Sequence, residues 1–266
     1  MKKLLLTALL ALAAIGVLTA CNGSSTDNTV LVVGATPRPH AEILEFIRPY
    51  LLEEGIELVI REFTDFQVLN PALADGTIDV NYFQHRPFLE GQPTADQLHV
   101  LGYIHIEPMG AYSLSLSNID ELFEGATVAL PNDPSNHGRA LLLLQDNGLL
   151  ELDPAAGFRA TYTADIISNP LNLQFQSLDA AILPRILPDV DIAIINTNHV
   201  LAGTNLDPVR DSLIMEAPDS PYANLVAVRL EDAQNPAMLT LLEFLQSEKV
   251  RDFILSEYNN AVLPVF

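Results

Sequence analysis

The 266-residue chain contains no tryptophan, one cysteine and three lysines. A lone cysteine excludes an internal disulfide and the paired thiolates of a structural zinc site. Asp and Glu outnumber Lys and Arg by 34 to 13, which gives a formal net charge of −21. So acidic a chain is repelled by phosphate backbones, and nucleic acid is therefore not an expected partner. The acidic, lysine-poor composition also suggests a saline habitat.

Motifs that mark catalytic or nucleotide-binding centres are missing as well. The chain has no G-x-S-x-G, no P-loop, no H-E-x-x-H and no G-x-G-x-x-G after a strand. Its six histidines are scattered, without the i, i+4 spacing of a helical metal site. His85 and His105 could converge in space, but we expect no enzyme, no cofactor and no metal site.

The first twenty residues have the pattern of a secretion signal. Lys2 and Lys3 precede an apolar run that is too short for a comfortable membrane span and ends in small residues. The segment Leu-Thr-Ala before Cys21 resembles the lipobox of bacterial lipoproteins, which implies cleavage before Cys21 and diacylglycerol on its sulfur. Residues 21–29 then form a lipidated, flexible tether. We expect an exported protein of the cell envelope, anchored to a membrane by this lipid.

The remaining chain alternates predicted strands and helices. Strands are predicted at 30–36, 56–63, 78–83, 98–107, 126–131, 171–178, 190–197 and 223–230. Helices are predicted near 43–51, 68–76, 136–148, 179–187 and 236–258, the last one broken near Ser247. This alternation predicts an α/β protein with mostly parallel sheets covered on both faces.

The elements form two series, which predicts two lobes. Residues 30–112 together with 224–266 would form lobe one, and residues 113–223 would form lobe two. Two crossing segments, near 109–116 and 220–228, would join the lobes. Because ligands bind beyond the carboxyl ends of strands in open α/β sheets, we expect a ligand cleft between the lobes.

Arg139 is predicted in the first turn of the helix 136–148. A cation there is unfavourable by roughly 0.3–1 kcal/mol, because a helix N-terminus carries partial positive charge. One interpretation is that the guanidinium binds a ligand carboxylate that arrives at the helix start. The other is an ordinary ion pair with Asp133 or Asp146. The residues alone leave both interpretations open.

Polar and aromatic side chains also cluster at the ends of predicted strands. They are Asn81, Tyr82, Phe83 and His85 after the third strand, His105 and Glu107 after the fourth, Asn196 and Asn198 in the second series, and Asn224 at the second crossing. Asparagine offers donors and an acceptor without net charge, which suits both ends of a zwitterion. Aromatic rings suit an apolar side chain or a thioether. Each residue alone is equally compatible with a turn or with core packing.

Several segments together resemble a known family. They are VGATPRPHAEILEFIRPYL, EFTDF, LADGTIDVNYFQHRPFLE, HIEPMGAYS, LPNDPSNHGRALLLL, INTN and DSPYANLVAVR, in this order from about Val30 to Phe253. The set resembles the NlpA-type, methionine-binding lipoproteins of bacterial ABC importers. The resemblance implies a two-lobed, type II-like periplasmic-binding-protein fold that closes on methionine. It also implies delivery to a membrane permease with its ATPase, by a protein that we expect to be monomeric.

The resemblance also assigns roles in the site. It implies that Arg139, without a protein counter-ion, holds the ligand carboxylate, and that Asn198 and Asn224 bind the amino-acid backbone. The implied thioether pocket consists of Tyr82, Phe83, His85, His105 and Phe66, and Asn81 and Asn196 complete the candidate set. Phe66 departs from the family, which usually has tyrosine there. A dipeptide such as Gly-Met, another small amino acid, a role in adhesion or signalling, and a hydrolase remain as alternatives.

Overall fold

The computed structural model describes residues 28–218 and 221–266. The predicted signal peptide 1–20, the lipidation site Cys21 and most of the predicted tether lie outside these residues. The last tether residue, Thr29, already belongs to the first strand.

A mixed six-stranded sheet organises the first lobe. Its strands lie in the order β13, β4, β12, β3, β1, β2. They are β1 (Thr29–Ala35), β2 (Ile56–Glu62), β3 (Val80–His85), β4 (Leu98–Ile106), β12 (Asn224–Arg229) and β13 (Leu263–Pro264). β1 is parallel to β2 and β3, whereas β12 is antiparallel to both of its neighbours. The expectation of a mostly parallel sheet is wrong here, because the chain re-enters this lobe from the second crossing in the opposite direction.

A five-stranded sheet organises the second lobe. Its strands lie in the order β11, β5, β10, β6, β9, and a separate small ladder joins β7 to β8. They are β5 (Gly110–Tyr112), β6 (Thr127–Pro131), β7 (Glu151–Leu152), β8 (Ile166–Ser168), β9 (Gln174–Leu178), β10 (Ile192–Ile195) and β11 (Ile214–Met215). β5 pairs with β10 and β11, so the first crossing precedes Gly110. The boundary predicted at residues 112 and 113 therefore places β5 in the wrong lobe.

The helices cover the faces of both sheets. They are α1 (Glu42–Glu53), α2 (Phe66–Ala74), α3 (Arg86–Glu90), α4 (Pro134–Asp146), α5 (Leu183–Ile186), α6 (Thr197–Gly203), α7 (Pro236–Leu245) and α8 (Glu248–Glu257). The predicted break near Ser247 is confirmed, since Ser247 caps α8 by accepting a hydrogen bond from the backbone N–H of Val250. Within the described ranges, no helix is long and apolar enough to cross a membrane.

Each lobe has its own apolar core. In lobe one, Leu44 and Ile47 of α1 and Leu241 of α7 pack against the face of the first sheet. In lobe two, Leu141 and Leu144 of α4 pack against the second sheet. Burial of each such side chain stabilises the fold by about 1.5–3 kcal/mol. The 3.6-residue spacing of these positions explains why the helices form where the sequence predicts them.

Candidate ligand-binding site

A cavity lies between the two lobes, at the carboxyl ends of β3, β6 and β10. It is lined by Phe66, Phe83, Gln84, His85, Phe88, Glu107, Asn136, Arg139, Asn196, Thr197, Asn198 and Asn224. The cavity has a volume of only about 20 Å³. The side chains of the two lobes therefore approach each other closely in this conformation.

Strand register brings the residues of lobe one together. Asn224, the first residue of β12, is paired with His85 on β3 and with His105 on β4. His40 follows the carboxyl end of β1, and its Nε2 lies 3.0 Å from Oδ1 of Asn224. Residues far apart in the sequence thus meet at one edge of the sheet, where parallel strands end together.

Contacts between the lobes join the walls of the cavity. Nε2 of His85 lies 3.1 Å from Oδ1 of Asn136, and the rings of Phe66 and His199 are 4.8 Å apart. The backbone N–H of Asn198 donates a hydrogen bond to the Glu107 carboxylate. The lobes are therefore held closed by polar as well as aromatic contacts.

Arg139 is buried beside this cavity, with 3% of its surface exposed. Its Nε and Nη2 donate to the two carboxylate oxygens of Glu216, at 2.9 and 2.5 Å. Nη2 also donates to the backbone oxygen of Glu107 at 2.8 Å, and the guanidinium lies 4.2 Å from the ring centre of Tyr222. The expectation of an arginine without a protein counter-ion is wrong, and so is its pairing with Asp133 or Asp146, because a distant glutamate supplies the charge.

The start of α4 also differs from the prediction. The helix begins at Pro134, and Asp133 caps it by accepting a hydrogen bond from the backbone N–H of Asn136. Arg139 is consequently the sixth helical residue, beyond the turn in which the helix dipole opposes a cation. The observed arrangement removes the electrostatic conflict that the sequence suggested.

A buried hydrogen-bond network supports the floor of the cavity. His105 contacts Oε1 of Glu107 through Nε2, at 2.7 Å, and the hydroxyl of Tyr82 through Nδ1, at 2.5 Å. His40 contacts the hydroxyl of Thr36 through Nδ1, at 2.7 Å, while its Nε2 lies 3.3 Å from the same Glu107 oxygen. Because a carboxylate faces Nε2 of each ring, we assign the proton of each neutral histidine to Nε2.

Burial determines the charge states in this network. It lowers the pKa of His40 to about 4 and that of His105 to about 3, so both rings are neutral near pH 7. Burial raises the pKa of Glu107, while the nearby His40, the positive charge of Arg139 and the N–H of Asn198 act in the opposite direction. Burial, with the nearby Arg139, also lowers the pKa of His85 to about 3.

His40, His105 and Glu107 are the described residues whose donor atoms are close enough to share a cation, within 4.8 Å of one another. His105 therefore meets His40 rather than His85. The same nitrogen and oxygen atoms already form the hydrogen bonds of the network, so a metal would have to replace those bonds. The arrangement is explained by hydrogen bonding, which fixes the rings and the carboxylate behind the cavity.

Seven of the ten ligand-binding candidates line the cavity. They are Phe66, Phe83, His85, Arg139, Asn196, Asn198 and Asn224. The other three lie behind it and are fully buried. Tyr82 and His105 bond to each other, and the side chain of Asn81 bonds to Asn70 and Gln84. These three side chains hold the wall from behind and do not line the cavity.

Five lining residues were not among the ten predicted ligand-binding residues: Gln84, Phe88, Glu107, Asn136 and Thr197. The sequence places Glu107 at the end of the fourth predicted strand without assigning it a role, and Gln84 stands beside predicted candidates on β3, so proximity to a strand end could have identified it. Asn136 follows the capping Asp133, and a polar residue at a helix start is also expected for capping alone. Phe88 lies on the short α3, which the sequence pattern did not reveal.

Comparison with known proteins identifies the family. The model of the NlpA lipoprotein family matches residues 31–266. The methionine-binding lipoprotein MetQ of Bacillus subtilis is 38% identical over 274 residues, covering 100% of this chain and 99% of the relative. It confirms the resemblance expected from the sequence motifs.

Solved structures agree with this result. A nutrient-binding protein of Burkholderia cenocepacia bound to methionine is 40% identical, with a TM-score of 0.85 over 89% of this chain and 100% of that one. A periplasmic substrate-binding protein of an ABC transporter from Coxiella burnetii is 39% identical, with a TM-score of 0.83 over 88% and 100% of the two chains. These matches confirm the two-lobed α/β fold. The chain belongs to the NlpA lipoprotein family.

Proposed function

We propose that this chain is a non-enzymatic binding protein that captures methionine, in its L or D form, for an ABC importer. It is exported, anchored to a membrane of the cell envelope through lipid on Cys21, and delivers its ligand to a permease with its ATPase. The observation that carries the proposal is Arg139, buried at one side of an interlobe cavity that also presents phenylalanine rings. The methionine-bound relative from Burkholderia cenocepacia supports the choice of ligand.

The guanidinium can receive a ligand carboxylate although Glu216 is its counter-ion. Glu216 and the backbone of Glu107 use Nε and Nη2 of Arg139. Among the described residues, none accepts a hydrogen bond from Nη1. Oδ1 of Asn224 accepts from His40, so the Nδ2 group of Asn224 remains a second donor for the carboxylate. The ligand then joins an existing charge pair.

The aromatic wall suits a thioether side chain. Phe66, Phe83 and Phe88 all line the cavity, with ring centres 5.7–5.9 Å apart. Contacts between sulfur and an aromatic ring contribute about 0.3–1.5 kcal/mol, in addition to apolar burial. Since Phe66 lacks the hydroxyl that the family usually has at this position, this wall is purely apolar. It therefore favours an uncharged, apolar side chain such as the thioether of methionine.

Ligand contacts from both lobes explain how binding closes the protein. Asn224 belongs to lobe one and Arg139 to lobe two, so the closed state gains contacts that the open state lacks. A ligand shifts a conformational equilibrium only by this difference in affinity. We place the bending in the two crossings, just before Gly110 and just before Asn224, and propose that a monomeric closed form is what the permease recognises.

Calorimetric titration with methionine tests the proposal. Arg139→Met combined with Glu216→Gln removes the buried pair without leaving an isolated charge, and we expect binding to weaken by about 2–5 kcal/mol. Arg210→Ala, an exposed arginine paired with Asp211, is the matched control and should bind normally. Wild-type affinity in the double variant, with its fold verified by melting, would overturn the proposed role of Arg139.

A further inference from the structure

We propose that Arg38 and the lobe-two helix α6 form a clasp, the contact of Arg38 with Leu201, which holds the lobes closed. Arg38 thereby controls how long the ligand stays bound without contacting it. This role rests on the proposed function, in which closure of the lobes retains the ligand. Arg38 is a positioning residue, because it lies outside the cavity lining and acts through the contact between the lobes.

The clasp joins Arg38 to the end of α6. Nη1 of Arg38 donates a hydrogen bond to the backbone oxygen of Leu201, at 3.3 Å. Leu201 lies in the last turn of α6, where carbonyl groups lack N–H partners within the helix. A cation is favourable there, because the carboxyl end of a helix carries partial negative charge. The side chain of Leu201 also packs against the apolar core of lobe one.

Helix α6 itself moves with lobe two. Val200, the neighbour of Leu201 in this helix, is fully buried in an apolar cluster with Tyr112 and Ile195 of the second sheet. The helix is therefore fixed to lobe two by one side, while Leu201 on another side reaches lobe one. The hydrogen bond from Arg38 consequently crosses from one lobe to the other.

Groups of lobe one hold Arg38 in its clasping position. Nε of Arg38 lies 2.8 Å from Oε1 of Glu42, the first residue of α1. The other carboxylate oxygen of Glu42 accepts a hydrogen bond from the hydroxyl of Tyr258, at 2.8 Å, and Tyr258 is buried. The guanidinium is thus oriented by its own lobe, so the clasp can form whether or not a ligand is bound.

Opening of the lobes breaks the clasp. Arg38 follows β1, which lies two strands from β12 in the first sheet, or about 10 Å at the usual spacing of strands. Because the second crossing leads into β12, a rotation there moves Arg38 away from α6. The closed state therefore has a charged hydrogen bond and an apolar contact that the open state lacks. A ligand leaves only after opening, so a more stable closed state slows its dissociation.

Two measurements on the full chain test the clasp. Calorimetry gives the dissociation constant of L-methionine, and a chase of bound, labelled methionine with excess unlabelled methionine gives its dissociation rate. Arg38→Met keeps the apolar stem and removes the donors. Since the side chain of Arg38 is 36% exposed, its hydrogen bond contributes modestly, and we expect dissociation to become about three- to ten-fold faster. The association rate should not decrease.

Two further variants separate the clasp from a general effect on folding. Arg38→Lys restores a charged donor and should bring the dissociation rate back toward the wild-type value. Leu201→Ala removes the apolar contact with lobe one and should also accelerate dissociation. The matched control is Arg48→Met, because Arg48 is an exposed arginine that pairs with Glu45 of its own helix α1. It should leave both rates unchanged.

Wild-type dissociation rates in both Arg38→Met and Leu201→Ala overturn the clasp but leave the proposed function intact. Slower association with an unchanged dissociation rate does the same, because the clasp acts on release of the ligand. Absence of methionine binding in the wild type overturns both.

Discussion

Replacing Glu216 by glutamine is expected to destabilise the ligand-free protein and to leave methionine as the main counter-ion of Arg139. The pair is nearly buried, since the side chains of Arg139 and Glu216 are 3% and 12% exposed. Breaking a buried ion pair by removing one partner costs about 3–5 kcal/mol, because the remaining charge stays desolvated. Glutamine keeps one acceptor, and we therefore take the lower end of this range, about 3 kcal/mol.

For a protein of this size, a loss of 3 kcal/mol lowers the melting temperature by about 6–12 °C. Thermal unfolding of Glu216→Gln is therefore measured with and without saturating methionine. The ligand carboxylate should partly replace the lost charge, so methionine should raise the melting temperature more in the variant than in the wild type.

Glu231→Gln is the matched control, because Glu231 is 75% exposed and only 3.9 Å from its partner Arg229. An exposed pair of this kind contributes about 0–1 kcal/mol. If Glu216→Gln melts within 2 °C of the control, the buried pair does not stabilise the fold. If methionine stabilises both variants equally, the ligand does not share the arginine.

Two predictions concern solution conditions. Stability should be complete above about pH 6.5 and fall as the pH decreases, because the folded state lowers the pKa of His40 to about 4 and those of His85 and His105 to about 3, whereas the unfolded chain still binds these protons. Each ring lowers the free energy of unfolding by up to about 1.4 kcal/mol for each pH unit below this point. Glu107, whose pKa is raised in the folded state, opposes part of this loss. Urea unfolding that gives equal stability at pH 7 and pH 5 would contradict the prediction. Raising the KCl concentration should raise the melting temperature, since salt screens the repulsion among an excess of carboxylates, and a melting temperature that falls with added KCl would refute the assigned charge effect.

Local patterns in the sequence predicted most helices and strands, but they did not predict which strands pair with β5 and β12. The spacing of Ile43 and Ile47 marks the buried face of α1, and Ser247 marks the start of α8. Neither pattern encodes which strand pairs with which. The placement of β5 in the second sheet depends on tertiary pairing with β10 and β11, which no local signal reveals.

The candidate site, too, was predicted only where local sequence patterns were sufficient. Polar residues at strand ends predicted much of the cavity lining, because topology brings such ends together. Whether a side chain faces the cavity or lies behind it is a matter of strand alternation and local bulges. Tyr82 and Phe83 are adjacent on β3, and only Phe83 lines the cavity. The Glu216 counter-ion lies 77 positions from Arg139 and could not be found from spacing.

The position of β12 in the first sheet has a consequence for how the chain acquires its structure. This strand separates β3 from β4, although nearly 120 residues of chain lie between β4 and β12. Every strand of the second sheet precedes β12 in the chain, so lobe two can assemble from one uninterrupted segment. Until the last part of the chain arrives, β3 lacks its partner on one edge and β4 lacks its partners on both edges, because β13 also follows β12. Unpaired strand edges favour aggregation, so we expect lobe one to be the more aggregation-prone part of a partly folded chain.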